Sequence, residues 1–372
     1  MRSISILNVG DGACSVVREH HGWDRTAIID CGCNPRRARS AAQLLARHLS
    51  SHDWRSLSEL VVTHFDADHW EGLLRVVDDA PVSSGSVPPD LRIFFPAVPL
   101  GVDRRLPAGL MALITTTGDY GVQALDLRAA WRKLTSVRLV PLAQGDSFSL
   151  AGRLHEVVWP PRRLDEGSSQ RLSKLVQRIE EEAEQLAHDG YPRLQNSLRE
   201  AYEGAQYNQH PVDKEHAADD LPDLPISMPS SGEEPARPQG LRPDEMAGPA
   251  IPQEKARNPE FKNLVRRARA AQNDLSLVFH DPLQASLLVF GDAPASVVER
   301  VRSDLRADGY QVALAPHHGT RQLQNGAPNA EACISQAGRG LRQYWPNHAD
   351  SHLNSGDCLN THDDGDVICN LR

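Results

Sequence analysis

Four side chains able to hold a metal ion fall within six positions of the stretch LVVTHFDADHWEG, residues 60–72. They are His64, Asp66, Asp68 and His69. Leu60, Val61 and Val62 read as a buried strand ending at Thr63, and the ligand types lie in the loop beyond it. In open α/β sheets the loops at strand ends are where active sites form. Residues two apart in extended chain point the same way, which groups His64 with Asp66 and Asp66 with Asp68. His69, next to Asp68, is free to serve a second centre. Three or more imidazole and carboxylate ligands beside a neighbouring ion are the ingredients of a two-metal hydrolytic site. The alternative is a solvated DAD turn with His64 as a capping residue.

Two later stretches repeat the device. LLVFGD, residues 287–292, is a buried strand whose first polar side chain is Asp292. Alone, such an aspartate is more often a helix N-cap. ALAPHHGT then ends a strand on His317 and His318 before Gly319. Three strand ends delivering His or Asp make convergence on one site the economical reading.

The elements that must position these residues are legible from periodicity. SISILNV alternates, and glycines at 10 and 12 mark a turn; SVVREHHGWDRTAIIDCG reads as two strands closing on Asp30 and Gly32. ARSAAQLLARHLSSH has helical spacing, and LSELVVTH, LRIFFPAV, SVRLVPL and HEVVWPP read as strands. From about Ser168 to Ala187 an amphipathic helix sets Leu172, Leu175, Val176, Ile179, Ala183 and Leu186 on one face. A second helical stretch lies near LQNSLREAYEGAQ. The Pro-, Gly- and acid-rich LPDLPISMPSSGEEPARPQGLRPDEMAGPAIPQ has too little apolar surface to offset chain entropy and reads as flexible. A third helix, FKNLVRRARAAQ, leads to strands at NDLSLVFH, ASLLVFGD and YQVALAPHHGT, with a helix at ASVVERVRSDLRADG. The expected organisation is a fold in two halves, residues 1–163 and 263–372, around a charged helical and Pro-rich insertion over 164–262.

Length and charge set the outer limits. The chain has 372 residues and a formal net charge of −9, with a pI near 6.0. That balance disfavours broad nucleic-acid coating, which needs a basic surface, and leaves room for a local basic groove. No apolar run approaches the roughly 20 residues of a membrane span. The amino-terminal residues lack a signal-peptide core, so a cytoplasmic protein with no membrane association is expected. The six cysteines form no CxxC pair and read as reduced, mostly buried thiols.

HFDADHWEG resembles the H-x-[HD]-x-D-H signature of the metallo-β-lactamase fold, and within it the competence-type, ComEC-like branch, which carries aspartate where Asp66 stands. NVGDGACSVV, AIIDCG, VVWPP, NDLSLVF, LLVFGD and APHHGT extend the likeness in order across about residues 4–160 and 272–372. The resemblance implies an α+β chain folded as a four-layer αββα sandwich. It implies two divalent ions, Zn²⁺ or Mn²⁺: His64 and Asp66 on one, Asp68 and His69 on the other, Asp292 between them, and His317, His318 or both completing the shell. Asp66 in place of an imidazole hardens the first site and shifts preference towards manganese.

The resemblance further implies a metal-activated water as nucleophile. Asp68 would orient it or take its proton, and His318 or His348 would assist the leaving group or grip a phosphate. His348 and His352 divide between a site role and a surface loop. The histidine that relatives often supply between the first motif and the bridging aspartate has no counterpart in LVPLAQGDSFSL or VVWPP.

For substrate, the branch favours phosphodiester hydrolysis of DNA or RNA. Arg162 and Arg163, and Arg266, Arg267 and Arg269, are local basic clusters in keeping with it, or solvated faces. Asn273 and Ser276 match family positions. The alternatives are a hydrolase of a small ester, lactone or cyclic nucleotide, and a partner-controlled subunit docking another protein through the 164–262 insertion.

Overall fold

The computed structural model describes residues 2–20, 24–33, 38–80, 90–97, 99, 127, 130–192, 194–196, 198–199, 257–305, 307–321, 328–344 and 355–372. Hydrophobic alternation in the first half produces strands β1 (Arg2–Ile6), β2 (Cys14–Glu19), β3 (Arg25–Cys31), β4 (Leu57–Val61), β5 (Asp90–Pro96) and β6 (Ser136–Leu142). They lie in that order in one sheet, with β14 (Val367–Leu371) returning beside β1. The second sheet runs β13 (Ser355–Asn360), β12 (Asn329–Ser335), β11 (Gly309–Leu314), β10 (Leu287–Val289), β9 (Val278–His280), β8 (Arg153–Trp159) and β7 (Ser147–Leu150).

Strand residues alternate between two apolar environments, which is why the central strands read as unbroken hydrophobic runs. Ile4, Val17, Ile29, Val61 and Phe94 meet Phe279, Val289, Leu314 and Ile334 between the sheets. Their neighbours Val16, Ile28 and Leu60 face outward onto Leu45 of α1 (Ala38–His48), Trp70 and Leu73 of α3 (Ala67–Arg75), and Trp131. The short α2 (Ser51–Ser56) starts on a Ser50–Asp53 capping box. On the far side, Leu288, Phe290 and Ala313 lie under Val297, Val298 and Val301 of α6 (Ala295–Val301). Two mixed sheets with helices outside both make the αββα sandwich.

The stretch after β8 begins with α4 (Glu166–His188), capped by Asp165 accepting from the Ser168 backbone and followed by Gly190 in the left-handed region. Helix α5 (Pro259–Asp274) starts on an Asn258 cap with Pro259 in its first turn. Leu175, Val176, Ile179, Ala183 and Leu186 pack against Phe261, Leu264, Ala268 and Ala271, a cluster separate from the sandwich cores. Most of LQNSLREAYEGAQ and all of the Pro-rich segment lie outside the described residues, as do His348 and His352.

Strand limits differ from the sequence reading at NDLSLVFH. Asn273 and Asp274 close α5, and the strand is Val278–His280 alone. All six cysteines are free thiols, four of them buried. Among the described residues no helix is long and apolar enough to cross a membrane.

Candidate metal centre

The His64–His69 loop is set by backbone contacts that require glycine. A Cβ on Gly32, at the end of β3, would lie 2.3–2.5 Å from the backbone of Ala67, Asp68 and His69. A Cβ on Gly12 would meet the Gly32 carbonyl at 2.3 Å. The amide of Ala13 donates to the Asp68 carbonyl, 3.0 Å, and that of Gly32 to the Ala13 carbonyl, 2.9 Å. The GDG and DCG triplets thus hold the first turn of α3 against the β1–β2 turn and the end of β3. Asp66 occupies the N-cap position of α3 without making a side-chain cap, so its carboxylate is available elsewhere.

From the second sheet, Gly291 adopts φ +54° against Thr63 and delivers Asp292. Beyond β11, both His317 (φ 49°, ψ 51°) and His318 (φ 57°, ψ 23°) are left-handed, a conformation that costs roughly 1–2 kcal/mol per non-glycine residue. The twist sends the adjacent imidazoles apart. His318 is buried in the centre, while His317 sits at its rim with a quarter of its side chain exposed. The His317 amide donates to the Gly291 carbonyl, 2.9 Å, and Ser335 Oγ donates to the His318 carbonyl, 2.6 Å.

Two overlapping groups result: His64, His69 and Asp292, and Asp68, His69 and His318, each with donor atoms within 4.8 Å of one another. His69 Nε2 is 3.1 Å from Asp292 Oδ1 and 3.1 Å from His318 Nε2. His318 Nε2 is 3.3 Å from Asp68 Oδ2 and 3.6 Å from Asp292 Oδ1. His64 Nε2 stands 3.6 Å from Asp292 Oδ2 and 3.9 Å from Asp66 Oδ2. His317 Nδ1 is 3.4 Å from Asp292 Oδ2 and 3.2 Å from the Asn273 amide nitrogen. The structure therefore brings together every site residue read from the sequence that lies among the described residues, with His317 outermost.

Outer partners orient the imidazoles. His69 Nδ1 is 2.9 Å from Asp30 Oδ2 and His318 Nδ1 3.0 Å from the Gln336 carbonyl. With both Nδ1–H groups donating, the two Nε2 lone pairs face each other across 3.1 Å, an arrangement that demands a cation or a proton between them. His64 Nε2 and Asp66 Oδ1 are buried without hydrogen-bond partners, a cost a bound cation removes. The donor set fits divalent metal.

Charge within the cluster follows the same geometry. Burial opposes protonation of His69, yet the Asp292 and Asp30 carboxylates hold it well above the ordinary histidine value. Asp292 and the Asp68 hydrogen bond raise His318 against burial in the same way. Burial and the His69 charge push His64 down to about 3. Burial, with Asp68 and Asp292 nearby, pushes Asp66 up to about 7. Burial works against ionised Asp292, but His318, His69, His64 and His317 hold it well below the carboxylate range.

The model of the metallo-β-lactamase superfamily matches residues 7–156, the span that carries Asp30 and the His64–His69 loop. This chain has the metallo-β-lactamase fold. The match stops at the superfamily and names no branch. Solved structures of that fold that resemble the chain include the metallo-β-lactamase fold protein YhfI from Bacillus subtilis, with 7% identity, 99% of each chain covered and a TM-score of 0.45. A β-lactamase domain protein from Burkholderia ambifaria has 21% identity over 39% of this chain and 41% of that one, TM-score 0.22. The metallo-β-lactamase family protein TTHA1429 from Thermus thermophilus has 16% identity over 42% and 51%, TM-score 0.23. No curated protein matches the sequence.

Asp30 is the site residue that sequence reasoning left unassigned. It accepts from the Thr63 amide, 2.8 Å, and the Thr63 hydroxyl, 2.7 Å, as well as facing His69. Its one sequence signal is a lone acid closing the apolar run AIIDCG.

Proposed function

We propose that this metallo-β-lactamase-fold protein is a metal-dependent phosphodiesterase of the competence-type branch, acting on DNA or RNA. The observation that carries the metal dependence is the pair of His/Asp groups with unpartnered donor atoms turned inward. His64, Asp66 and Asp292 would hold one ion. Asp68, His69 and His318 would hold the second, with Asp292 between the two. Such ions, Zn²⁺ or Mn²⁺, would supply a water of lowered pKa and polarise the group under attack. The oxygen-rich half at Asp66 and Asp292 favours the harder ion.

The protein's own groups do the rest. Asp68 is 30% exposed, which gives it reach to a water as well as to His318; it orients the attacking water and takes its proton. Asp30 and the Gln336 carbonyl keep the Nε2 lone pairs of His69 and His318 turned inward. His318 and, from outside the described residues, His348 are the candidates to assist the leaving oxygen. The choice of an anionic substrate is supported by Arg321, whose charge acts on His317 at the rim.

The test is elemental analysis of native protein beside Asp68→Ala and Asp292→Ala, with each sample incubated with single- and double-stranded DNA and with RNA. About two ions in the wild type, lost in the variants together with cleavage, is the expected result. Bound metal without cleavage of any nucleic acid would move the substrate to small esters or cyclic nucleotides. No metal uptake on reconstitution would remove the ligand assignment itself.

A further inference from the structure

Helix α5 buries Phe261, Leu264, Ala268 and Ala271 against α4. Another stripe of the same helix carries Lys262, Arg266, Arg269 and Asn273, spaced four, three and four residues apart and so aligned along one face. The three cations are exposed. Among the described residues Arg266 bonds the neutral Asn263 side chain, 2.9 Å, and none of the three forms an ion pair with an acid. Other arginines of the chain do have an acid partner, as Arg75 has in Glu71, Arg178 in Glu181 and Arg342 in Asp363. An exposed row of three cations with no acid partner among the described residues is open to an anionic ligand.

The row has a direction. Its last member, Asn273, touches His317 at 3.2 Å, and one turn back the Arg269 charge is felt at Asp66. Lys262 to Asn273 spans about 16 Å of helix, with cations roughly 4.5–6 Å apart along the axis. That is enough for several phosphates of one strand and more than a single small phosphoester can use.

We infer that Lys262, Arg266 and Arg269 form a track for the sugar–phosphate backbone of one nucleic-acid strand, leading past Asn273 into the metal centre. The inference rests on the phosphodiesterase reading and extends it: the substrate is a polymer, and α5 is the element that grips it. Binding is chiefly electrostatic, because no aromatic side chain shares the stripe to stack a base.

The test uses full-length protein and fluorescein-labelled oligothymidylate or oligouridylate, in EDTA so that no strand is cut. Fluorescence anisotropy is measured across a salt series. Each phosphate contact on a single strand contributes about −0.7 to the slope of log K against log salt. Lys262→Gln/Arg266→Gln/Arg269→Gln is therefore expected to flatten that slope by about 2 and weaken binding about 100-fold at about 0.1 M salt. Lys174→Gln/Arg178→Gln/Arg342→Gln removes the same charge elsewhere and is expected to leave the slope unchanged. Unchanged affinity and slope in the first variant overturn the inference, as does polyglutamate binding as tightly as the oligonucleotide. Metal content and turnover of bis(p-nitrophenyl) phosphate by wild-type protein test the phosphodiesterase reading separately, so the two failures are distinguishable.

Discussion

Asp30→Asn isolates the outer partner of His69 with little change of shape. The carboxylate serves three donors: the Thr63 amide and hydroxyl, at 2.8 and 2.7 Å, and His69 Nδ1 at 2.9 Å. Asparagine retains one oxygen, enough for the Thr63 amide, and turns an NH₂ group towards His69. The imidazole Nδ1 must then become an acceptor, which moves its proton to Nε2, the atom facing Asp292 and His318. The lone pair needed for an ion is lost. Asp30 has φ 54°, a region asparagine tolerates, so the backbone should accept the change. Loss of such outer partners weakens metal binding 10–100-fold, about 1.4–2.7 kcal/mol. Competition for Zn²⁺ and Mn²⁺ against a chromophoric chelator reads the affinity, and urea unfolding of metal-free protein checks that the fold survives. Wild-type affinity in a folded Asp30→Asn protein would refute the argument that Asp30 fixes the tautomer.

Three further outcomes are expected. Gly32→Ala forces a methyl group into the backbone of Ala67–His69, and should cost about 1–3 kcal/mol or more, with metal content falling in parallel by elemental analysis. Asp66, pushed up to about 7 in the metal-free protein, must lose its proton to ligate. Metal affinity should therefore weaken by up to about tenfold per pH unit below that value, a dependence that isothermal titration in buffers of different ionisation enthalpy should find reduced in Asp66→Asn. His155 is fully buried beside Arg2 and pushed down to about 3. The unfolded chain binds this proton below pH about 6.5 and the native state does not, so native stability is complete above that pH. It should fall by about 1.4 kcal/mol per unit as pH drops from there towards 3; urea titrations of metal-free wild type and His155→Phe would differ in slope by that amount.

The strand ends that carry the candidate ligands were legible because a buried strand that runs straight into His or Asp aims a polar side chain at the sheet edge, where it must find a partner. The helices α1, α4 and α5 were legible from their spacing. What escaped depends on contacts between distant residues. Asp30 closes a strand in the sequence, and only its approach to Thr63 and His69, more than thirty positions away, gives it a task. Asn273 read as part of a strand because Leu275, Leu277 and Phe279 alternate, whereas Phe261 to Ala271 carry the helical period through to Asp274. Strands of three residues, such as Val278–His280, are too short to declare a period. His317 and His318 are identical in sequence terms, and their separation into rim and interior comes from two positive φ angles. Both histidines were legible at the third strand end, without an order between them.

The partition of the candidate metal ligands between the two sheets has a consequence for assembly. His64, Asp68 and His69 come from before the α4–α5 region, and Asp292 and His318 from after it. Each candidate group draws on both parts, so an ion bound there acts as a clasp across the sandwich. Its binding energy adds to the cohesion of the two parts, by about 4 kcal/mol at a thousandfold excess over Kd. Two separately produced polypeptides, cut between α4 and α5, should therefore reassociate more tightly in zinc or manganese than in chelator. They would be held by the same inter-sheet core and by the buried reach of Arg2 to Ser286 and Asp281. In a protein built in this way, metal binding and the cohesion of the two parts are thermodynamically linked.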